Sequence, residues 1–532
     1  MRRKTATGIA WVLVWMVGCS EGDGDRTFDD AGSTDGSACR TENWCWADFP
    51  CDHYLIRDSY RPACGGEQGR LFPRTVPCAE VCGTPCCSGS SCELVSEPCP
   101  EGTVCRMRGE SPECLPPCDR IPTFADAVAA RRLLHVSADG DDAAGDGTSD
   151  HPYQTLAAAA RTAVPGDGIF LDGSTTGDNR IVGLRGTETD PIRIYGRGSS
   201  PGSRPRIEGG IEGLRLVAPA YVVIEDLVVI GQSGSGIVIE DDGDGATPAR
   251  HVVVRNVAFR DIGPGGDNGC LQLSGLDEFF VLDNTFAGCG VGGSGSGIDM
   301  IGCHEGVVAG NSFGEVGARS VRARGGSASL ELRANATRDG GDHAFELGGS
   351  TPPELFRPLD AGYEARDVRA VANLIVGSAA AVAFIGCEAC LAANNTIIRP
   401  ARWVARILQE SGPGLVPCRN GRFVNNLVVV RRADLTAAID VGPGTAALTF
   451  TFAGNLWFAE DDPAFAGTGL PVAETGTVVG DPLFVDGPGG DYHLLADSPA
   501  VGAGTTLAEV AGDFDGNCYR DPPTIGAFER TE

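Results

Sequence analysis

Asn311-Ser312-Phe313 is one of eight segments in which an Asn precedes small or apolar residues, and the spacing of these segments decides the fold. The others are Asn256-Val257-Ala258-Phe259, Asn284-Thr285-Phe286, Asn335-Ala336-Thr337, Asn373-Leu374-Ile375, Asn395-Thr396-Ile397, Asn426-Leu427-Val428 and Asn455-Leu456-Trp457. Successive Asn residues are 28, 27, 24, 38, 22, 31 and 29 positions apart. Periods of this size, with β-forming residues and no helical pattern between, predict an all-β solenoid of short strands. One coil cannot bury its apolar side chains, but stacked coils share a continuous core. Asn suits a corner because it tolerates left-handed backbone and its amide can bond the Asn of the next coil. All eight are therefore expected on one edge, coil upon coil.

A second column follows from strand alternation. Ile237-Val238-Ile239, Leu271-Gln272-Leu273, Ile298-Asp299-Met300, Val321-Arg322-Ala323, Phe345-Glu346-Leu347, Val382-Ala383-Phe384 and Ile439-Asp440-Val441 each set one residue between two apolar ones. With the apolar pair in the core, the central residue points out. Over consecutive coils the outward column reads Val238, Gln272, Asp299, Arg322, Glu346, Ala383.

The two ends carry signatures. Leu134 to Asp142, Asp146-Gly147-Thr148, Pro152 to Leu156 and Val164-Pro165-Gly166-Asp167-Gly168 open the repeat region. Gly480-Asp481-Pro482-Leu483-Phe484, Asp491-Tyr492-His493-Leu494, Ser498-Pro499-Ala500 and Ile525-Gly526-Ala527-Phe528 close it. Together they resemble bacterial secreted right-handed parallel β-helix proteins of the pectate-lyase-like superfamily, over residues 133–532. The resemblance implies that fold, with closing coils at the C-terminal end, and says little about activity. Thr155 to Ala163 reads as an Ala-rich helix covering the open N-terminal edge.

Ahead of the solenoid the chain changes character. Arg2, Arg3 and Lys4 precede an apolar run, Ile9 to Val17, too short to span a membrane. Met16-Val17-Gly18-Cys19 resembles the lipobox of bacterial lipoproteins, with Met16 where Leu is usual. The resemblance implies a signal peptide over 1–18 and a lipid on Cys19. With Ser20 following, it also implies the outer membrane of a Gram-negative envelope. Residues 19–38 are mostly Gly, Asp, Ser and Thr with one aromatic, an acidic tether expected to be disordered. Residues 39–120 form a Cys-rich module, and Arg120 to Arg132 a linker with a helical look.

Cysteine parity ties the two folded units together. Of 21 cysteines, 13 lie between Cys39 and Cys118 and seven between Cys270 and Cys518. Zinc at Cys78, Cys82, Cys86 and Cys87 is the weaker reading in an oxidising compartment, where disulfides are expected. Two odd counts that make an even total predict one bridge between module and solenoid. Its solenoid partner is expected near the N-terminal coils or in a long turn, with Cys387 and Cys390 paired locally or one of them with Cys418.

The net charge of -29, which becomes -32 without Arg2, Arg3 and Lys4, argues against nucleic acid as partner. It also leaves the lipid on Cys19 as the only expected membrane contact. Lys4 is the only lysine. A lysine base for β-elimination is thereby excluded, and Arg holds its proton too tightly to replace it easily.

The candidate chemistry sits on the outward column. Asp299, Arg322 and Glu346 are the candidate catalytic ladder. Gln272, Asp267, His304, Arg324, Asp342 and His343 are expected beside it as binding residues, and an insertion of about Ser350 to Ala370 could wall the face. Asp299 and Glu346, two coils apart, would be separated by roughly 9.6 Å at the backbone, close to the carboxyl spacing of an inverting glycosidase, roughly 6.5–9.5 Å. Arg322 between them can pair with both, which lowers carboxyl pKa values and so opposes a general-acid role. No cofactor is expected. Calcium is the one ion that Asp139 to Asp146, Asp241 to Asp244 or Asp513 to Asn517 could hold, and none has a full EF-hand spacing. Trp403 and Tyr363 are the candidate sugar-stacking rings. Two readings follow: an envelope-anchored carbohydrate-binding or structural β-helix, and a polysaccharide-active enzyme, hydrolase before lyase, with its site on the outer sheet face.

Overall fold

The computed structural model describes residues 118, 121–126, 128–196, 204–243, 248–409 and 414–530, and the backbone of two antiparallel strand pairs, 81–88 with 91–98 and 104–108 with 111–115. The signal peptide, Cys19, the tether and most of the Cys-rich module lie outside the described residues.

From Arg132–Val136 onward the chain winds through three long parallel sheets of ten, thirteen and twelve strands. Each coil visits them in a fixed order, called here first, second and third. In one coil Ser296–Ile301 lies in the first, His304–Ala309 in the second and Ser312–Gly314 in the third. Within these three sheets every strand pairs in parallel with its counterpart one coil away, and the antiparallel pair Phe484–Asp486 with Asp491–Leu494 lies outside them. This is a right-handed parallel β-helix. Its core is layered, like residue on like. Phe259, Phe286 and Phe313 stack with ring centroids 4.8 Å apart, the strand spacing of a sheet.

The Asn ladder forms the corner between the second and third sheets. Asn284 Nδ2 donates to Asn311 Oδ1, Asn311 to Asn335, Asn335 to Asn373, Asn373 to Asn395, Asn395 to Asn426 and Asn426 to Asn455, each at 2.9–3.1 Å. The other Nδ2 hydrogen of Asn311 goes to the Val281 carbonyl of the coil before. Two details differ from the sequence reading. Left-handed backbone falls on the residue before each ladder Asn, as at Asp283, Gly310, Ala334, Ala372, Asn394, Asn425 and Gly454. Asn256 occupies that preceding position, with φ 54°, so it leaves the ladder by one residue. Asn284 Oδ1 there accepts the Val257 amide instead.

The N-terminal helix is Leu156–Thr162, with Thr155 as N-cap accepting the Ala158 amide. Its buried Leu156, Ala158 and Ala159 join the solenoid core. Among the described residues of the linker no helix forms. Residues 121–126 form a strap on the outer face of the second sheet, because the buried Arg193 captures the carbonyls of Ala125 and Val128. Ala125 packs on Val223 and Val253, and Phe124 on Tyr221 and His251.

The closing coils also differ from expectation. The last in-sheet strand is Val478–Val479, and residues 484–530 fold back over the outside. Tyr492, Leu494, Phe514, Ile525 and Phe528 cover Leu374, Ile398, Leu427 and Leu456 of the third sheet. Leu507, Val510 and Tyr519 cover Val371, Leu391 and Val424 of the second. These apolar residues point outward from their strands, so the solenoid needs a cover there, and the C-terminal segment supplies it.

Three disulfides fall on described residues: Cys118–Cys518, Cys270–Cys289 and Cys387–Cys390. The first joins module to solenoid, but its partner lies in the fold-back segment rather than an N-terminal coil or long turn. Cys303 and Cys418 stay reduced and buried, and burial pushes both thiols up to about 12. The register separates them by four coils, so they cannot meet.

Candidate functional site

The outward column has the register read from sequence. Val238, Gln272, Asp299, Arg322, Glu346 and Ala383 pair in order along the first sheet, and the column continues through Arg406 to Asp440. The flanking apolar residues are buried as expected except Val441, which is exposed because its strand is the sheet's edge. Yet Asp299 and Glu346, although outward, are 5% and 2% exposed. Arginines from the same face lie over them.

The anticipated triad resolves into two clusters. Arg322 grips Asp299 with two hydrogen bonds, 2.9 and 2.7 Å, and Arg324 adds two more at 3.3 and 3.1 Å. Burial alone would raise the Asp299 pKa, but the two guanidinium groups outweigh it and hold the carboxyl below its ordinary value. Arg322 stays 4.0 Å from Glu346. Glu346 instead accepts from Arg319 at 2.7 Å and meets His343 Nδ1 at 2.6 Å. It too is depressed, because those partners outweigh its burial. His343 Nε2 lies 3.2 Å from Arg406, which bonds Asp440 at 2.9 Å.

The expected binding residues divide. Arg324 and His343 join the ladder directly. Asp267 is exposed on the loop before Leu271–Ser274, and its charge acts on Arg322. Asp342 is exposed one residue before the strand His343–Gly348. Gln272 is half-buried in the column beside Asp299. His304 belongs elsewhere: it opens a strand of the second sheet, where its two ring nitrogens face Asp277 at 3.1 Å and the Gly326 carbonyl at 3.0 Å. The turn at Gly302 carries the chain round the corner before His304 is reached.

The insertion spans residues 349–364, shorter than expected, since Ala365 already begins the strand Ala365–Val371. It is pinned at three points. Arg324 Nη1 donates to the Ser350 carbonyl, Arg357 makes a bidentate pair with Asp277, and Glu364 accepts from Thr351 and the Gly325 amide. Burial raises the Glu364 carboxyl despite those donors. The insertion therefore edges the ladder at the corner between the first and second sheets.

Sequence reasoning missed Arg319 and Arg406. Ala405-Arg406-Ile407 has the same apolar–polar–apolar signature as the other triplets and was legible. Arg319 was not, because the inward–outward alternation breaks there although the register holds: Ser320 and Val321 are both buried, and Ser320 turns inward to Thr337. The candidate stacking rings are covered. Trp403, 9% exposed, has Arg402 and Arg406 within 4.1 and 4.2 Å of its centroid, and Arg366 lies 3.9 Å from that of the buried Tyr363.

Among the described residues no group of three or more His, Cys, Asp or Glu side chains is arranged to hold a metal ion. The acidic stretches hold their own turns: Asp141 accepts the amides of Ala143 and Ala144, Asp241 that of Gly243, and Asp513 that of Asn517.

No family model and no curated protein matches the chain. Among solved structures, it is similar to the crystal structure of pectate lyase Pel9A, with 15% identity and a TM-score of 0.49 over 76% of this chain and 98% of that one. A lacto-N-biosidase from Eubacterium ramulus gives 14% and 0.45, over 65% of this chain and 66% of the other. An alginate lyase from Paenibacillus gives 15% and 0.41, over 60% and 99%.

Proposed function

We propose that this chain is a polysaccharide-binding β-helix whose ligand lies along the outer face of the first sheet. A linear polymer with repeating polar groups suits a column that repeats a polar side chain coil by coil, about 4.8 Å apart. Arg319, Arg322, Arg324 and Arg406 give that face planar donors of the kind that recognise carboxylate or hydroxyl pairs. One observation carries binding ahead of turnover: Asp299 and Glu346 are both buried and held ionised by arginine. Neither can keep a proton to deliver to a leaving group near neutral pH. Attachment to an envelope through a lipid on Cys19 belongs to the same proposal, and metabolic labelling with a radioactive fatty acid, lost in Cys19→Ser, tests it.

A polysaccharide-active enzyme is the second reading. It is favoured by His343, an imidazole set between Glu346 and Arg406 on the same face. A glycan array followed by product analysis separates the two. Binding that Arg322→Ala weakens, with no new reducing ends and no unsaturated-uronate absorbance, is the expected result. Release of products overturns the binding reading in favour of the enzyme, and a wild-type protein that retains no glycan overturns both.

A further inference from the structure

The strap and the fold-back segment cover the outer face of the same sheet from opposite ends, and Cys118–Cys518 joins them. Strap residues 121–126 lie over the coils of Arg193, Val223 and Val253. The fold-back segment lies over the coils of Val371, Leu391 and Val424, with Glu509 paired to Arg422. These positions belong to one continuous run of register partners along the second sheet. The bridge joins residues 400 apart in sequence, and the covers it ties together lie over coils of this sheet that the register sets four apart, from Val253 to Val371.

Accessibility sets this bridge apart. Cys518 is exposed and Cys118 half-buried, whereas Cys270, Cys289, Cys387 and Cys390 are all 1% exposed or less. Thiol–disulfide exchange requires a thiolate to reach a sulfur. A reductant in solution therefore meets Cys118–Cys518 long before the other two.

We propose that Cys118–Cys518 is a redox-addressable clasp that fastens both covers to the second sheet. A small dithiol opens it: one thiolate attacks a bridge sulfur, the other cysteine leaves as thiolate and takes a proton, and the second thiol of the reductant resolves the mixed disulfide. Cys118 and Cys518 end as two thiols and the reductant as a disulfide. Once open, each cover is held only by its own contacts, and the apolar rows at Val223 and Val253 and at Val371, Leu391 and Val424 become open to transient exposure. The second sheet would then offer a surface that the oxidised protein hides.

Partial reduction of the full-length protein tests this. Samples are titrated with dithiothreitol, alkylated, digested and mapped by mass spectrometry, and hydrogen exchange is followed in parallel. Cys118 and Cys518 should be labelled at reductant concentrations at least tenfold below those that label Cys270, Cys289, Cys387 or Cys390. Peptides of 121–130 and 507–526 should then lose protection together, while ladder peptides around 299–346 keep theirs. Cys518→Ser should show the same exposure without reductant; should it fail to fold, reduction of the wild type still gives the answer. Labelling of the four buried cysteines first, or unchanged protection of both covers once Cys118 and Cys518 are alkylated, overturns the proposal.

Discussion

Arg406 reaches back two coils to place Nη1 3.2 Å from Nε2 of His343, across a strand whose matching position is Ala383. A larger side chain at 383 would stand between them. The small residue is what lets the Asp440–Arg406 pair connect with the His343–Glu346–Arg319 cluster. Ala383→Leu is therefore expected to separate Arg406 from His343, because residue 383 faces outward yet is fully buried beneath these side chains. Histidine chemical shifts by NMR should change at His343, with thermal stability lowered by about 1–3 kcal/mol from overpacking.

The Asn ladder should be costly to interrupt. Asn335 uses both Nδ2 hydrogens and accepts from the Asn311 amide and side chain, all in a fully buried corner. Asn335→Ala leaves several buried partners unsatisfied, at about 1–3 kcal/mol for each group. A loss of at least about 2 kcal/mol in denaturant unfolding is expected. Asn256→Gly should cost less, because residue 256 stands in the left-handed position that glycine fits without strain, and it gives up only half-buried bonds to Asp226 and Arg204. Equal losses for the two would show that the buried ladder bonds stabilise the fold no more than those half-buried ones.

Asp299 and Glu346 set the acid limb of stability. Their folded pKa values lie below the ordinary carboxylate range, so their contribution is present above about pH 4 and fades as pH falls through the folded values. Asp299→Asn removes the anion beneath both Arg322 and Arg324. The variant should lose about 3–5 kcal/mol at neutral pH, as broken buried pairs do. Its remaining stability should depend less on pH between 2 and about 4 than that of the wild type. Calorimetry across that range checks both.

How much of this was legible follows from what sets each feature. The ladder Asn residues and the outward triplets could be read because strand alternation and coil spacing are local, and register then follows from stacking. Asn256 was misread because Asn satisfies two adjacent corner positions for different reasons, one for its amide and one for its backbone. His304 was misplaced because a corner turn, not the strand pattern, decides which sheet receives it. The fold-back of residues 484–530 was out of reach: Tyr492 and Leu494 alternate as a further coil would, and only the apolar outer face of the third sheet reveals that they cover it instead. Arg406 was legible, because Ala405 and Ile407 flank it as apolar pairs flank the other outward positions.

Arg357 should decide whether the insertion keeps its place. Its guanidinium pairs with Asp277 and donates to the Gly302 carbonyl, anchoring residues 349–364 to the corner that edges the ladder. Arg357→Ala is expected to leave the solenoid folded while raising protease cleavage within 349–364 several-fold. Limited proteolysis with mapping of the cut sites tests this. Cleavage distributed over the coils would mean that the insertion supports the whole fold.

The fold-back segment should loosen in alkali. His493 lies between Asp491 at 2.6 Å and Asp515 at 2.7 Å. Burial works against its charge, but the two carboxylates win and raise the imidazole to about 9. Asp513 nearby is pushed up to about 8, first by burial and then by the Asp515 charge. Both groups hold protons that the unfolded chain would have released, so stability falls as pH rises. For His493 the loss runs from about 6.5, the unfolded value, up to about 9, and for Asp513 it is complete by about 8. Thermal melts should therefore show Tm declining from pH 7 to 9.5, with peptides of 491–515 losing hydrogen-exchange protection before those of the coils. His493→Gln should begin lower at pH 7 and decline less. A wild-type Tm that stays level over this interval would mean that His493 is neutral in the folded protein at pH 7.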